Sequence, residues 1–268
     1  MKKFFLSPSV LFVTLFLVTF SSCKKEDTIN PNEKSSVSFE FDNIAGSVDL
    51  TLNTTDYTNA AGELFKVTKF DYYVSNIELI KTDGTVYTVP QNDSYFLVKE
   101  DNAASQKFTI NNIPVGDYNK VRLVIGVDSV RNTLDVSQRT GILDPAAGGL
   151  GMYWSWNSGY IFVKLEGTSP ASARPGNAFQ YHIGGFGGMT APTINNIKTT
   201  TLDFPVGSTA RVRVGTLPEI HVLADVLKMF RGTTNVSIAA NPVVMFTAAS
   251  VNVANNYQNM FLVDHVHN

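Results

Sequence analysis

Cysteine is almost missing from this chain: one residue, Cys23, in 268. Disulfides and thiolate metal cages are therefore excluded, and stability must come from core burial. Charge is also scarce, with Asp, Glu, Lys and Arg at 16% against roughly 25% in ordinary soluble domains. The 21 basic and 23 acidic residues give a net charge of −2, which offers no basic surface for nucleic acid or acidic lipid. Histidine occurs only four times, always after residue 180. No G-x-S-x-G elbow, H-E-x-x-H pair, Walker loop or dinucleotide fingerprint is found. Asp128 and Asp144 border a long loop but match no calcium motif. No enzyme is expected.

What is present begins with a targeting segment. Lys2 and Lys3 precede an apolar run from Phe4 to Phe20, followed by Ser21, Ser22 and the lone Cys23. This is the order of a secretory signal peptide, with an apolar run short for a membrane span flanked in this way. Phe-Ser-Ser-Cys resembles a bacterial lipobox, so residues 1–22 are expected to be removed and Cys23 acylated. Residues 23–35 are polar, without apolar periodicity, and read as a flexible tether. Their opening Lys-Lys-Glu-Asp resembles a signal that directs lipoproteins to the outer membrane, at its periplasmic or surface face.

The remainder, 36–268, reads as one all-β domain. Alternation with period two predicts strands in which Val37, Phe39 and Phe41 share a face, as do Val48, Leu50 and Leu52, and Val121, Leu123 and Ile125. Asp83-Gly84 predicts a hairpin, because both residues tolerate positive φ. In 209–216, Arg211 and Arg213 alternate with Val212 and Val214. The segment 219–230 reads as strand running into a short helical turn. Ten or more short strands point to an antiparallel β-sandwich of immunoglobulin-like architecture. One connection stands out, the Gly-rich loop from Ser129 to about Met152, since long irregular loops in compact domains tend to be functional or disordered.

That loop leads into both tryptophans of the chain, Trp154 and Trp156, which would lie side by side on a strand. Large aromatic anchors of the core, or an aromatic surface, are the plain alternative. His182 follows Tyr181 and should share a face with Gln180, ahead of a Gly-rich turn carrying Met189. His221 lies in an apolar strand. His265 and His267 form a His-x-His whose Cα atoms, roughly 6.6 Å apart on one face, can bring two imidazoles onto one ion; a frayed terminus is the alternative. Imidazoles with Met152 or Met189 as thioether donors, and no thiolate, suit copper or zinc better than calcium.

Several blocks together resemble a known family. FDYYVSNIELI, GDYNKVRLVIGVDSVRN, LDPAAGGLGMYWSWNSGYIFVKLEG, FQYHIGGF and VDHVHN, spread from about Ser36 to Asn268, are similar to the MbnP-like family of periplasmic or surface copper-binding proteins related to the partner protein of methanobactin systems. The resemblance implies a copper cofactor. It also implies a di-haem partner enzyme of the MauG/cytochrome-c-peroxidase type that oxidises a tryptophan to kynurenine, whose amine then holds copper(I) together with histidine. Carried over, Trp154 or Trp156 is the modified residue and His182 the best-matched ligand. An intact indole N–H is only a donor, whereas ring opening frees an aniline lone pair. No histidine precedes Trp154 here. Either His221, His265 or His267 supplies a further ligand from another strand, or the branch keeps the fold without the metal. The expectation is thus a lipid-anchored copper-binding protein whose histidines gather beside the indole pair. The alternative is a surface module binding a glycan or protein through the tryptophans.

Overall fold

A computed structural model of the chain describes residues 1, 30, 32–157 and 159–268. The expected signal peptide, Cys23 and most of the tether lie outside the described residues. The first strand, β1 (Lys34–Ala45), begins two residues before the expected domain start and carries Val37, Phe39 and Phe41 inward. After it come β2 (Val48–Asp49), β3 (Tyr57–Thr58), the long β4 (Leu64–Lys81) and β5 (Val86–Thr88). β4 and β5 form the expected hairpin, with Gly84 at φ 87°. β6 (Tyr95–Lys99), β7 (Lys107–Pro114) and β8 (Gly116–Ile125) complete the first half.

The second half starts with a short helix, α1 (Ser129–Thr133), capped by the Asp128 side chain. Then follow β9 (Tyr153–Trp154), β10 (Gly159–Thr168), β11 (Ala178–Gly184), β12 (Lys198–Asp203), β13 (Ala210–Val212) and β14 (Glu219–Asp225). β14 runs into a 3-10 turn, Val226–Met229, as the sequence suggests. β15 (Val243–Val244), α2 (Ala248–Tyr257) and β16 (Phe261–His267) close the chain.

Two sheets face each other. The smaller has the order β16-β14-β1-β2 with β7 also on β1, and the larger β12-β8-β4-β10-β11-β15 with short strands at its margins. Pairing is mostly antiparallel, as expected, although β1–β14 and β11–β15 are parallel. Phe39, Phe41, Ile220 and Val222 from the smaller sheet meet Tyr72, Val74, Leu123, Val163 and Tyr181 from the larger in one buried core. Across it Phe41 and Tyr72 have ring centroids 6.2 Å apart. Each such aliphatic or aromatic side chain contributes roughly 1.5–3 kcal/mol on burial.

Two sequence expectations end early. The strand at Val48 stops at Asp49, and Val48 is exposed while Leu50 is buried. β13 stops at Val212, which leaves Val214 exposed. Val214 lies past the last ladder bond and has no sheet to pack on, whereas Val48 pairs with Ala45 but turns its side chain to solvent.

The Gly-rich connection is not a free loop. It covers the far side of the larger sheet, where Tyr73, Leu97, Val127, Leu143, Met152, Trp154 and Tyr160 form a second buried cluster. Tyr73 and Tyr160 donate their hydroxyls to the carbonyls of Ile142 and Leu143, at 2.9 and 2.6 Å. Asn132 accepts from the Tyr160 N–H at 3.0 Å and donates to Val127 O. These bonds satisfy buried polar groups that a bare loop over a sheet would leave unpaired.

Candidate metal centre

Alternation along β14 sends Ile220, Val222 and Ala224 into the core and turns His221 outward. β1 does the same with Glu40 and Asp42, and Glu40 stands opposite His221. On β16 the register shifts between His221 and Val222: Val263 faces Val222, His265 faces His221, and Asp264 is the extra residue. Such a bulge places two residues against one. Val263 and Val266 stay against the core while Asp264, His265 and His267 all reach the solvent side. Strict alternation would have turned His265 inward whenever Asp264 faced out. The bulge is what assembles the cluster.

His265 Nδ1 lies 2.7 Å from Asp264 Oδ2, and its Nε2 lies 2.9 Å from His267 Nε2. With Nδ1–H donated to the carboxylate, Nε2 of His265 is the acceptor for the His267 N–H. His221 Nδ1 is 3.7 Å from the same Asp264 oxygen, and His221 Nε2 is 3.8 Å from Asp42 Oδ2. The His221 and His265 rings are 4.5 Å apart between centroids, and those of His265 and His267 4.6 Å. His221 Nδ1 is buried and has no hydrogen-bond partner. The hydrogen bond from His265 holds the Asp264 carboxyl below its usual range. Burial pushes that of Asp42 up, against the pull of His221.

One donor atom each from His221, Asp264 and His265 lies within 4.8 Å of the other two. Ligand bonds of about 2 Å around one ion bring donors to roughly 3–4 Å from each other. Small rotations of exposed side chains cover that difference. Chemically, the arrangement is an imidazole-rich donor set with one carboxylate, open to water.

The other expected site residues lie elsewhere. His182 projects from β11 on the outer face of the larger sheet, with Gln180 and opposite to Tyr181, as the alternation requires. Its Nε2 is 2.7 Å from Glu166 Oε1. Burial lowers the pKa of His182, and the Glu166 bond opposes that shift. Trp154 is 5% exposed and lies over Gly184, where an added Cβ would come within 2.8 Å of the indole. Trp156, past the end of β9, is 62% exposed, yet its ring sits 5.1 Å from that of Trp154. The indoles are thus side by side, through a turn rather than a continuous strand.

The expected gathering of all four histidines beside the tryptophans is therefore corrected. Three imidazoles meet on the outer face of the smaller sheet. His182, Trp154 and Trp156 occupy the opposite face of the sandwich, because Trp154 belongs to the cluster behind the larger sheet. The thioethers are corrected in the same way. Met152 is fully buried in that second cluster, and the exposed Met189 lines a cleft of about 310 Å³ with Phe186 and Phe246. Both lie across the sandwich from the three clustered imidazoles. Asp264 and Asp42 were the residues sequence reasoning passed over. The signal for Asp264 was its place beside the His-x-His, and the bulge that turns it to the same side has no sequence signature.

The sequence pattern of the MbnP family matches residues 34–246, most of the chain. The chain belongs to the MbnP family. The matched stretch includes His182, His221 and both tryptophans and ends before Asp264, His265 and His267. Among solved structures this MbnP-family chain is similar to MbnP from Methylosinus trichosporium, with a TM-score of 0.52 at 18% identity over 81% of this chain and 82% of that one. At that identity the likeness speaks for the fold. No curated protein matches the chain.

Proposed function

We propose that this MbnP-family protein is exported, anchored through acylated Cys23, and binds copper outside the cytoplasm as a metal-handling protein rather than an enzyme. The observation that carries the reading is the buried, unpartnered Nδ1 of His221 facing Asp264 and His265. A buried nitrogen left without a hydrogen bond costs roughly 1–3 kcal/mol, and a metal ion at that point would relieve the cost. Copper fits the donors present, since imidazole nitrogen suits it well. His221, His265 and His267 would hold it, with Asp264. Titrating the mature domain with copper tests this. His221→Ala and His265→Ala should each weaken binding by about 100-fold or more, more than the 10–100-fold typical of second-shell changes, and His182→Ala should leave it unchanged. Equal affinity in all four proteins would remove the cluster from the account.

The indole face supports a second reading. Trp156 is largely exposed, and Asn157 beside it in the chain lines the cleft of Phe186 and Phe246. Such a surface suits stacking against a glycan or a protein partner, and a di-haem oxidising enzyme would be a partner of that kind. Intact mass of protein taken from its native host separates the two: added oxygen on tryptophan favours the oxidising partner, and unmodified indoles with glycan binding favour the module.

A further inference from the structure

We infer that the imidazole cluster is a site for a divalent first-row ion, copper(II) foremost, with Asp264 as the ligand that sets it against copper(I). The inference rests on the metal-binding reading above and adds the charge and class of the ion.

The donor set decides it. Copper(I) is favoured by soft sulfur donors, and the methionines of the folded domain are turned away from the outer face of the smaller sheet. Met229 and Met260 are buried in the core between the sheets, Met152 and Met245 belong to the cluster behind the larger sheet, and Met189 is exposed on that far side. What faces the cluster instead is oxygen. Asp264 Oδ2 is within 3.7 Å of His221 Nδ1 and 2.7 Å of His265 Nδ1, and Asp42 Oδ2 is 3.8 Å from the far nitrogen of His221. Carboxylate oxygen with imidazole nitrogen suits divalent ions, among which copper(II) binds most tightly in the ordinary order of affinities. Two carboxylates, Asp264 and Asp42, also balance a charge of +2 better than +1. Nearby Glu219 is already taken by Lys107 and adds little to that balance.

Asp42 has a positioning role. If His221 ligates through its unpartnered Nδ1, its Nε2–H points to Asp42, in the carboxylate–histidine–metal order that fixes a ring's tautomer and raises its basicity. Side chains of Asp264 and His265 are 49% and 42% exposed, which leaves a coordination position for water.

The test compares both oxidation states on the whole mature domain. Copper(II) and zinc(II) are titrated aerobically and copper(I) anaerobically against a chromophoric chelator, using the parent, Asp264→Asn and Asp42→Asn. The account predicts one copper(II) per chain, with an electron paramagnetic resonance spectrum showing coupling to imidazole nitrogen. Asp264→Asn should weaken copper(II) and zinc(II) by about 100-fold while moving copper(I) by less than threefold. Asp42→Asn should weaken copper(II) by roughly 10-fold and alter the nitrogen couplings. Circular dichroism should show all three chains folded, as Asp264 is exposed on an edge strand. Equal losses for copper(I) and copper(II) in Asp264→Asn, or none, would overturn the divalent assignment and leave the metal reading standing. No binding of any ion by the parent would overturn both.

Discussion

The two outer faces of the sandwich carry the same kinds of residue and use them differently. Behind the larger sheet, His182 is bonded to Glu166 and Trp154 is packed over Gly184. On the smaller sheet, His221 leaves a nitrogen unbonded and Asp264 is shared between two imidazoles. On the first face His182 is spent on the fold, and the Trp154 indole N–H, which has no partner, is a donor that cannot ligate a metal. The second holds donors converged on one point with one of them unsatisfied. Residue type alone therefore does not distinguish the two faces; the convergence of imidazole and carboxylate donors does.

Substitutions on the spent face should cost stability and spare copper. Trp154→Ala has the largest expected effect, a loss of about 3–5 kcal/mol, read by urea unfolding, with copper affinity intact. Loss of copper binding in a folded Trp154→Ala chain would break the contrast. Gly184→Ala should cost roughly 1–3 kcal/mol through overpacking, because its Cβ would lie 2.3 Å from Tyr160 O and 2.8 Å from the Trp154 ring; a lower Tm and a shifted tryptophan emission would report it.

A smaller effect concerns acid. Burial lowers the pKa of His182 in the folded state below 6.5. Between that lowered value and 6.5 the unfolded chain binds more protons, so the His182 contribution is complete above pH 6.5 and is lost as pH falls through the folded value. His182→Gln should flatten the decline of Tm with acidification over that window. Smallest of all, Trp156→Ala should change stability by less than about 0.5 kcal/mol, as at other exposed sites. A larger loss in calorimetry would show that the exposed indole supports the cluster beneath it.

Much of this was legible in the residues. Alternation located β1, β8 and the inward rows of Phe39, Phe41, Leu123 and Ile125, because a sheet buried on one side writes its face into the sequence with period two. It also placed His265 and His267 on one side. It could not say which sheet each histidine joins, since β14 reaches β1 through a parallel pairing across 180 residues of chain. Resemblance to the family drew His182 and the tryptophans together, correctly as to face, and drew the other imidazoles to them, where the topology keeps them apart. The bulge at Asp264 escaped notice because an inserted residue looks like any other until its partner strand is known.

Both tryptophans report from the far face, so copper(II) quenching of their fluorescence measures the separation directly. Two sheets packed about 10 Å apart, with side chains on either side, stand between the imidazole cluster and the indoles. One equivalent of copper(II), bound as judged by its imidazole-coupled resonance spectrum, should leave most of the tryptophan emission in place. Collapse of that emission at one equivalent, preserved in His265→Ala and abolished in His182→Ala, would put the ion beside the indoles and contradict the account.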